Sequence, residues 1–310
     1  MEKILLSLII LISAFKGVSQ QDPQFAHNAQ NIGFSNPGYA GIEGEICAYV
    51  INRQQWSGFE GAPAITLAGI NSDIKMFGRI HGVGLSVLDD RHGFEKKFQA
   101  KLAYSYHQQI GSGKLGIGIE LGLINFNLGG TFNPPQVSPE QDALIPDKDV
   151  RKMIFDLGLG IYYKIGNLYA GISTAHIQQP KIAYPETEAS FLKRHYYFTS
   201  GYNFRFFNTP LELTPSIFIK TDGVKTAQDY NITGTYNKKI YLGVTYRNKD
   251  AIVPMIGFRL FNGLKIGYAY ELSTSKLRTA NSGSHEFFVG YCFDIFKPVS
   301  NNKFKSVRFL

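Results

Sequence analysis

His285-Glu286-Phe287-Phe288-Val289 opens as a zinc-protease motif does, with an imidazole ligand and a carboxylate beside it. The second His is missing, and the segment reads as a strand where that motif needs a helix. Pairs such as Gly116-Ile117-Gly118 fall in mid-strand with no helix after them, which removes a dinucleotide site. Asn231-Ile232-Thr233 has glycosylation spacing but also lies within a strand. A barrel lipase needs a Ser with a His partner, and His107, His176 and His285 all have Ser nearby. No spacing singles them out, and polar lining of a lumen accounts for them. The two cysteines, Cys47 and Cys292, are too far apart for a disulfide scaffold or a Cys-based zinc site. The sequence therefore points to no catalytic, cofactor-binding or metal-binding residues, and to a protein that is not an enzyme.

The elements that carry these residues follow from composition and pattern. The 310 residues are 44% hydrophobic, 14% aromatic and 18% charged, with 32 Gly, which excludes a disordered chain. Residues 1–19 read as a signal peptide: Lys3, then the apolar run Ile4–Phe15, then small residues up to Ser19, with cleavage before Gln20. No Cys follows that run, so a lipoprotein is not expected, and no later stretch is apolar enough for a helical span.

Beyond Gln20 the hydrophobic period is two. Leu115, Ile117, Ile119, Leu121 and Leu123 fall on one face, with Gly116, Gly118, Glu120 and Gly122 on the other. Gln99–His107, Met153–Lys164, Lys239–Arg247, Leu264–Leu272 and Ser284–Phe293 repeat the pattern. About 14 such segments, mostly of roughly 9–12 residues, match the length of a tilted strand crossing a hydrocarbon core. Three features favour a membrane barrel over a soluble sandwich. Gly dominates the non-apolar face, which suits a crowded interior. Tyr and Phe gather toward the ends of the apolar faces, as at Tyr104, Tyr163, Phe204 and Tyr268. Tight turns such as Gly166-Asn167 and Asn237-Lys238 alternate with longer loops at Arg53–Pro63, Asp89–Lys97, Gly129–Arg151, Gln178–Arg194 and Glu271–Gly283. The expected fold is all-β, an up-and-down transmembrane antiparallel barrel of about 14 strands. Residues 20–44 form a periplasmic or plug segment, 45–296 the barrel and 297–310 a basic periplasmic tail. Lys101, Glu120, Asp156, Glu212 and Glu286 are expected to face the lumen and pair there. Cys47 and Cys292 fall on the first and last strands, neighbours in a closed barrel, where a disulfide is open to them.

The formal charge of +8 comes with no Lys/Arg cluster or basic helix, so nucleic acid is not the expected partner. Most of the excess falls on the short-turn face and tail, including Lys238, Lys239, Lys297, Lys303, Lys305 and Arg308. A one-sided basic periplasmic rim suits anionic membrane lipid or an acidic periplasmic partner.

An ordered set of short motifs resembles the PorP/SprF family of type IX secretion outer-membrane proteins. It starts with Gln21-Asp22-Pro23-Gln24-Phe25 and continues through Asn36-Pro37-Gly38-Tyr39-Ala40-Gly41, Arg53-Gln54-Gln55-Trp56-Ser57-Gly58 and Gly61-Ala62-Pro63. Tyr246-Arg247, Gly257-Phe258, Gly267-Tyr268-Ala269-Tyr270 and Gly283-Ser284-His285-Glu286 complete it, and Glu271 departs from the family's usual Asp. The resemblance implies an outer-membrane barrel that binds a large secreted cargo or adhesin with a C-terminal sorting domain, in secretion or gliding motility. It also implies contact with periplasmic secretion or motor components, and no catalysis. Asn36 and Pro37, at an irregular turn near the periplasmic mouth, Arg53 and Trp56, at the first outside loop, and His285 and Glu286 are the candidate binding residues. Arg53 and Trp56 equally suit simple packing of the barrel lip. A passive porin for small solutes is the alternative, since the many Gly leave room inside unless a plug fills it.

Overall fold

The computed structural model describes residues 22–58, 60–129, 150–182, 190–260, 263–279 and 281–293. The expected signal peptide at 1–19 and the basic tail at 297–310, with Lys297, Lys303, Lys305 and Arg308, lie outside the described residues.

Among the described residues, fourteen barrel strands follow one another in chain order, with a separate two-stranded piece of Lys181–Ile182 and Ser190–Phe191. The barrel strands are β1 (Ile46–Gln54), β2 (Ala64–Met76), β3 (Arg79–His92), β4 (Glu95–Ile110), β5 (Gly113–Leu128), β6 (Val150–Ile165) and β7 (Leu168–Ala175). After them come β8 (His195–Tyr202), β9 (Leu211–Thr221), β10 (Thr226–Tyr236), β11 (Ile240–Arg247), β12 (Ala251–Arg259), β13 (Leu264–Ser273) and β14 (Ser284–Phe293). Phe204–Arg205 continues β8 past a break at Asn203. Each strand pairs antiparallel with the next, and β14 returns to β1, so the sheet closes on itself as a barrel. Closure removes both sheet edges, which a membrane would otherwise leave unpaired. Among the described residues no helix is long and apolar enough to cross a membrane, and α1 (Ile32–Ser35) has a single turn.

The barrel is apolar on the outside. Leu102 and Leu121 are 55% exposed and Phe155 72%, while Lys101, Glu120 and Asp156 beside them are buried. A water-soluble domain has the opposite arrangement, so the outer wall is a lipid-facing belt. Tyr202, Phe204, Phe206, Tyr236 and Phe293 ring one end of it, and Phe98, Tyr196, Tyr230 and Tyr246 the other. Both rings are the aromatic girdles expected at the two interfaces.

Strand lengths run from 8 residues in β7 to 16 in β4, β5 and β6, a wider spread than the hydrophobic pattern suggests. The longest strands carry polar ends, as at Glu95–Lys97 of β4, Asn125 and Asn127 of β5, and Arg151–Lys152 of β6. Asp89–Lys97, read from sequence as a long loop, is strand on both sides of a turn at Gly93-Phe94. The register sets Asp90 opposite Lys97 and Arg91 opposite Lys96, so one of the two charged pairs is complementary and the ladder continues through polar residues.

Cys47 and Cys292 stand opposite each other in register and are joined by a disulfide, covalently closing the β1–β14 seam. The bridge spans 245 residues, and the loop-closure entropy it removes from the unfolded chain is on the order of 5 kcal/mol. Replacing both cysteines by Ser is expected to lower the urea midpoint of the folded barrel. An unchanged midpoint would show that strand pairing alone holds the seam.

Candidate binding site in the barrel lumen and at its two ends

The lumen is filled by the residues that precede β1. The first described residue, Asp22, lies near the end where β1 finishes at Gln54 and β8 begins at His195, here the long-loop end. From there the segment follows the interior and leaves at Glu43, at the short-turn end, before turning into β1. Its apolar side chains complete a core with inward residues of the wall. Phe25 and Phe34 pack with Tyr49, Ile51, Leu67, Leu88 and Phe288, and Ile32 and Ile42 with Tyr162.

Glycines in the wall give this segment its track. A Cβ added at Gly82 would overlap the Ala40 carbonyl, one at Gly116 the Gly38 carbonyl, and one at Gly118 the Pro37 backbone. The inward Gly face is thus a groove for another backbone. Asn36 and Pro37 lie in that groove, inside the lumen in its short-turn half. The Asn36 amide donates to the carbonyls of Ile161 at 3.1 Å and Ile172 at 3.3 Å, and its oxygen accepts from the Gly38 N–H at 2.9 Å. Asn36 therefore caps its own turn and ties it to β6 and β7 at once.

Two buried polar networks hold the upper part. In the first, the Glu286 carboxylate accepts the backbone N–H groups of Ala26 and His27, each at 2.8 Å, and meets His27 Nδ1 at 2.8 Å. Arg53 lies 3.4 Å from Glu286 and 2.7 Å from Glu271. Glu271 passes the chain of pairs to Arg247 at 2.5 Å, Arg247 to Asp229 at 3.1 Å, and Asp229 accepts from Gln24 at 2.7 Å. All five charged wall residues are buried, which is tolerable only because each is paired.

The second network surrounds Asp22. Its carboxylate meets Lys97 at 3.2 Å, the Tyr197 hydroxyl at 2.6 Å and His176 Nε2 at 3.1 Å. His176 Nδ1 lies 2.8 Å from Asp156. Burial would raise the Asp22 carboxyl, but His176 and Lys97 hold it well below the usual carboxylate range. Burial would lower the His176 imidazole, but Asp22 and Asp156 push it up to about 9. Lys101 and Glu120 pair at 2.9 Å just below.

The residues singled out from sequence separate accordingly. Arg53 is not in the first outside loop: it is in β1, buried at 2% exposure, and serves the first network together with Glu286. Trp56 does stand at the rim, half-buried, with φ of 53°, its N–H donating to the Ser284 hydroxyl at 3.2 Å. Strand alternation divides His285 from Glu286: His285 faces outward, where its Nδ1 lies 2.8 Å from the Tyr268 hydroxyl. His107 Nε2 contacts the Ala40 carbonyl at 2.9 Å, and among the described residues none of His107, His176 and His285 bonds a serine. Sequence reasoning missed Asp229 as a site residue and took Arg247 and Glu271 only as motif pieces. Their inward parity, within a few residues of the long-loop end, was the available signal.

At the short-turn end a cavity of about 510 Å³ opens below the segment, with Glu43, Glu45, Lys164, Arg205, Arg259 and Lys265 on its walls. Glu43 and Lys164 pair, while Arg259 and Lys265 face each other across the β12–β13 ladder. Lys238 and Lys239 are exposed in the neighbouring β10–β11 turn, where Asn237 and Lys238 both take left-handed conformations.

Among solved structures, the Acinetobacter baumannii outer membrane protein Omp33 resembles this chain at 7% identity with a TM-score of 0.49, over 82% of this chain and 100% of its own. The Ralstonia pickettii toluene transporter TbuX does so at 11% identity and a TM-score of 0.49, over 84% of this chain and 92% of its own. A mutant Rh. blastica porin gives 8% identity and a TM-score of 0.36, over 80% and 99%. No curated protein matches the chain. The family described as "Type IX secretion system membrane protein PorP/SprF" matches residues 17–291.

Proposed function

From this chain's membership of the PorP/SprF family of type IX secretion system membrane proteins, we propose that it is an outer-membrane barrel that binds a secreted or surface-anchored cargo protein and supports its export or attachment. The family is one of secretion membrane components and not of enzymes. The observation that carries the proposal is the filled lumen. Solute passage needs a continuous water path, and here residues 22–43 occupy the interior from end to end, tied to Glu286 above and to the glycine track below. A barrel with its interior occupied acts through its ends.

The orientation follows from the connections: long loops outside, short turns and both strand termini in the periplasm. The outside end offers the rim around Trp56, where the turn 55–58 is strapped to 282–284 by Ser57–Gly283 and Ser282–Ser57 backbone bonds. A rigid rim with one half-buried Trp suits a large cargo such as an adhesin with a C-terminal sorting domain. The periplasmic end offers Lys238, Lys239, Arg259 and Lys265 to acidic surfaces of secretion or motor components, or to anionic lipid. A role in gliding would follow from the cargo carried.

Deleting the gene is expected to remove one or a few large proteins from the surface proteome while other exported proteins stay. An unchanged surface proteome would sink the cargo role. A steady open-channel current from the intact purified protein would favour a passive porin.

A further inference from the structure

The Asp22 network has a property that plug fastening does not use. His195, at the start of β8, is 2% exposed, and its Nδ1 lies 2.9 Å from the Lys193 carbonyl. That contact fixes the tautomer: Nδ1 donates, and Nε2 keeps its lone pair. Nε2 is buried and has no hydrogen-bond partner. A buried acceptor left without a partner is uncommon in a native interior and calls for a reason. His176 is oriented in the same way, its Nδ1 on the Asp156 carboxylate at 2.8 Å and its Nε2 toward Asp22 at 3.1 Å. One donor atom from each of Asp22, His176 and His195 lies within 4.8 Å of the other two.

We propose that Asp22, His176 and His195 form a binding site for a divalent transition-metal ion of the zinc type, pinning the start of the lumenal segment to the barrel wall between β7 and β8. The donor set is two imidazoles and one carboxylate, a set that zinc takes. Ligands about 2.0–2.1 Å from a tetrahedral ion sit roughly 3.3 Å apart, close to the Asp22–His176 separation, while His195 has to move inward. Each imidazole already has the outer partner that a ligating His requires: Asp156 for His176, the Lys193 carbonyl for His195. The Tyr197 hydroxyl orients Asp22 from behind. On binding, His176 gives up its Nε2 proton to solvent and the ion takes that place. Lys97, on Asp22, and Lys220, whose ammonium donates to the Asp22 carbonyl, are the charges that oppose a dication here. The site therefore predicts its own improvement: removing the Lys97 charge tightens it.

The test is titration of the purified, detergent-folded protein with Zn2+ against a chromophoric chelator, and with Co2+ followed by its visible absorption. Folding is checked by heat-modifiable gel mobility. The expected result is one ion per chain and a tetrahedral Co2+ spectrum. His195→Ala and His176→Ala should each weaken binding by about a hundredfold or more, and Asp156→Asn by about ten- to a hundredfold. Lys97→Met should strengthen it, and His285→Ala, on the outer face, should leave it unchanged. Absence of stoichiometric binding by the intact protein would overturn the proposal, as would a folded His195→Ala variant that binds Zn2+ equally well.

Discussion

A variant lacking residues 22–43 will pass a steady ion current across a planar bilayer where the intact chain passes none. Residues 22–43 fill the path from the long-loop end to the short-turn cavity, and the β4–β6 side of the wall they cover is polar. Gln99, Lys101, Ser105, Glu120 and Asp156 all face inward, so water replaces the segment when it is gone. The paired wall charges then sit in a hydrated lumen, where losing their lumenal partners costs little compared with burial. Gly118→Val is the gentler form of the experiment. A side chain there overlaps the Pro37 backbone and should eject the Asn36–Ala40 stretch while leaving the Glu286 attachment in place, giving a partial or flickering current. A deletion variant that keeps its folded gel mobility yet stays silent would mean that the outer loops close the barrel without the segment.

The second large effect is expected at Glu286. Its carboxylate answers two backbone N–H groups, one imidazole and one guanidinium, all buried. Glu286→Ala leaves the two backbone N–H groups and the His27 imidazole without that acceptor, with Arg53 held by Glu271 alone, and should destabilise the docked state by about 3–5 kcal/mol. The chain has one tryptophan, and Trp56 bonds Ser284, two residues from Glu286, so its fluorescence in a urea titration reads the change at the site. Adding Arg53→Met should cost less than Arg53→Met does alone, because Glu286 is no longer there to lose that partner, while Arg53 keeps Glu271 at 2.7 Å in the single Glu286 variant. A double variant as unstable as the sum of the two singles would show that Arg53 and Glu286 do not act as a unit.

The wall of the barrel was legible residue by residue because its signal is local. The faces read from Leu115–Leu123 and Gly116–Gly122 are the outer and inner faces of β5, as burial shows. Lys101, Glu120, Asp156 and Glu286 point inward as the alternation requires. The Asp89–Lys97 stretch reads as a loop, and its run of charged residues carries no apolar alternation to mark it as strand. In the fold those charges sit across a ladder, and a partner strand is invisible to a single-segment pattern. The networks were hidden for a stronger reason. His27 and Glu286 are 259 residues apart, and Lys97 is 75 from Asp22, so nothing in local spacing brings them together. The inward glycines were seen as crowding, while the object that crowds them, the Asn36–Ala40 backbone, appeared only with the chain folded.

The path of residues 22–43 also fixes an order of events in biogenesis. A finished cylinder cannot take in a segment from the side, and endwise threading would drag Phe25, Phe34 and Tyr39 along the charged wall of a hydrated lumen. The direct route is for the segment to lie down in an open trough while β1 and β14 are still apart, with the seam of nine register pairs from Ile46–Phe293 to Gln54–His285 zipping over it afterwards. The Cys47–Cys292 bond then behaves as a latch that is thrown last. Oxidation ahead of docking would trap an empty cylinder with its strap left outside.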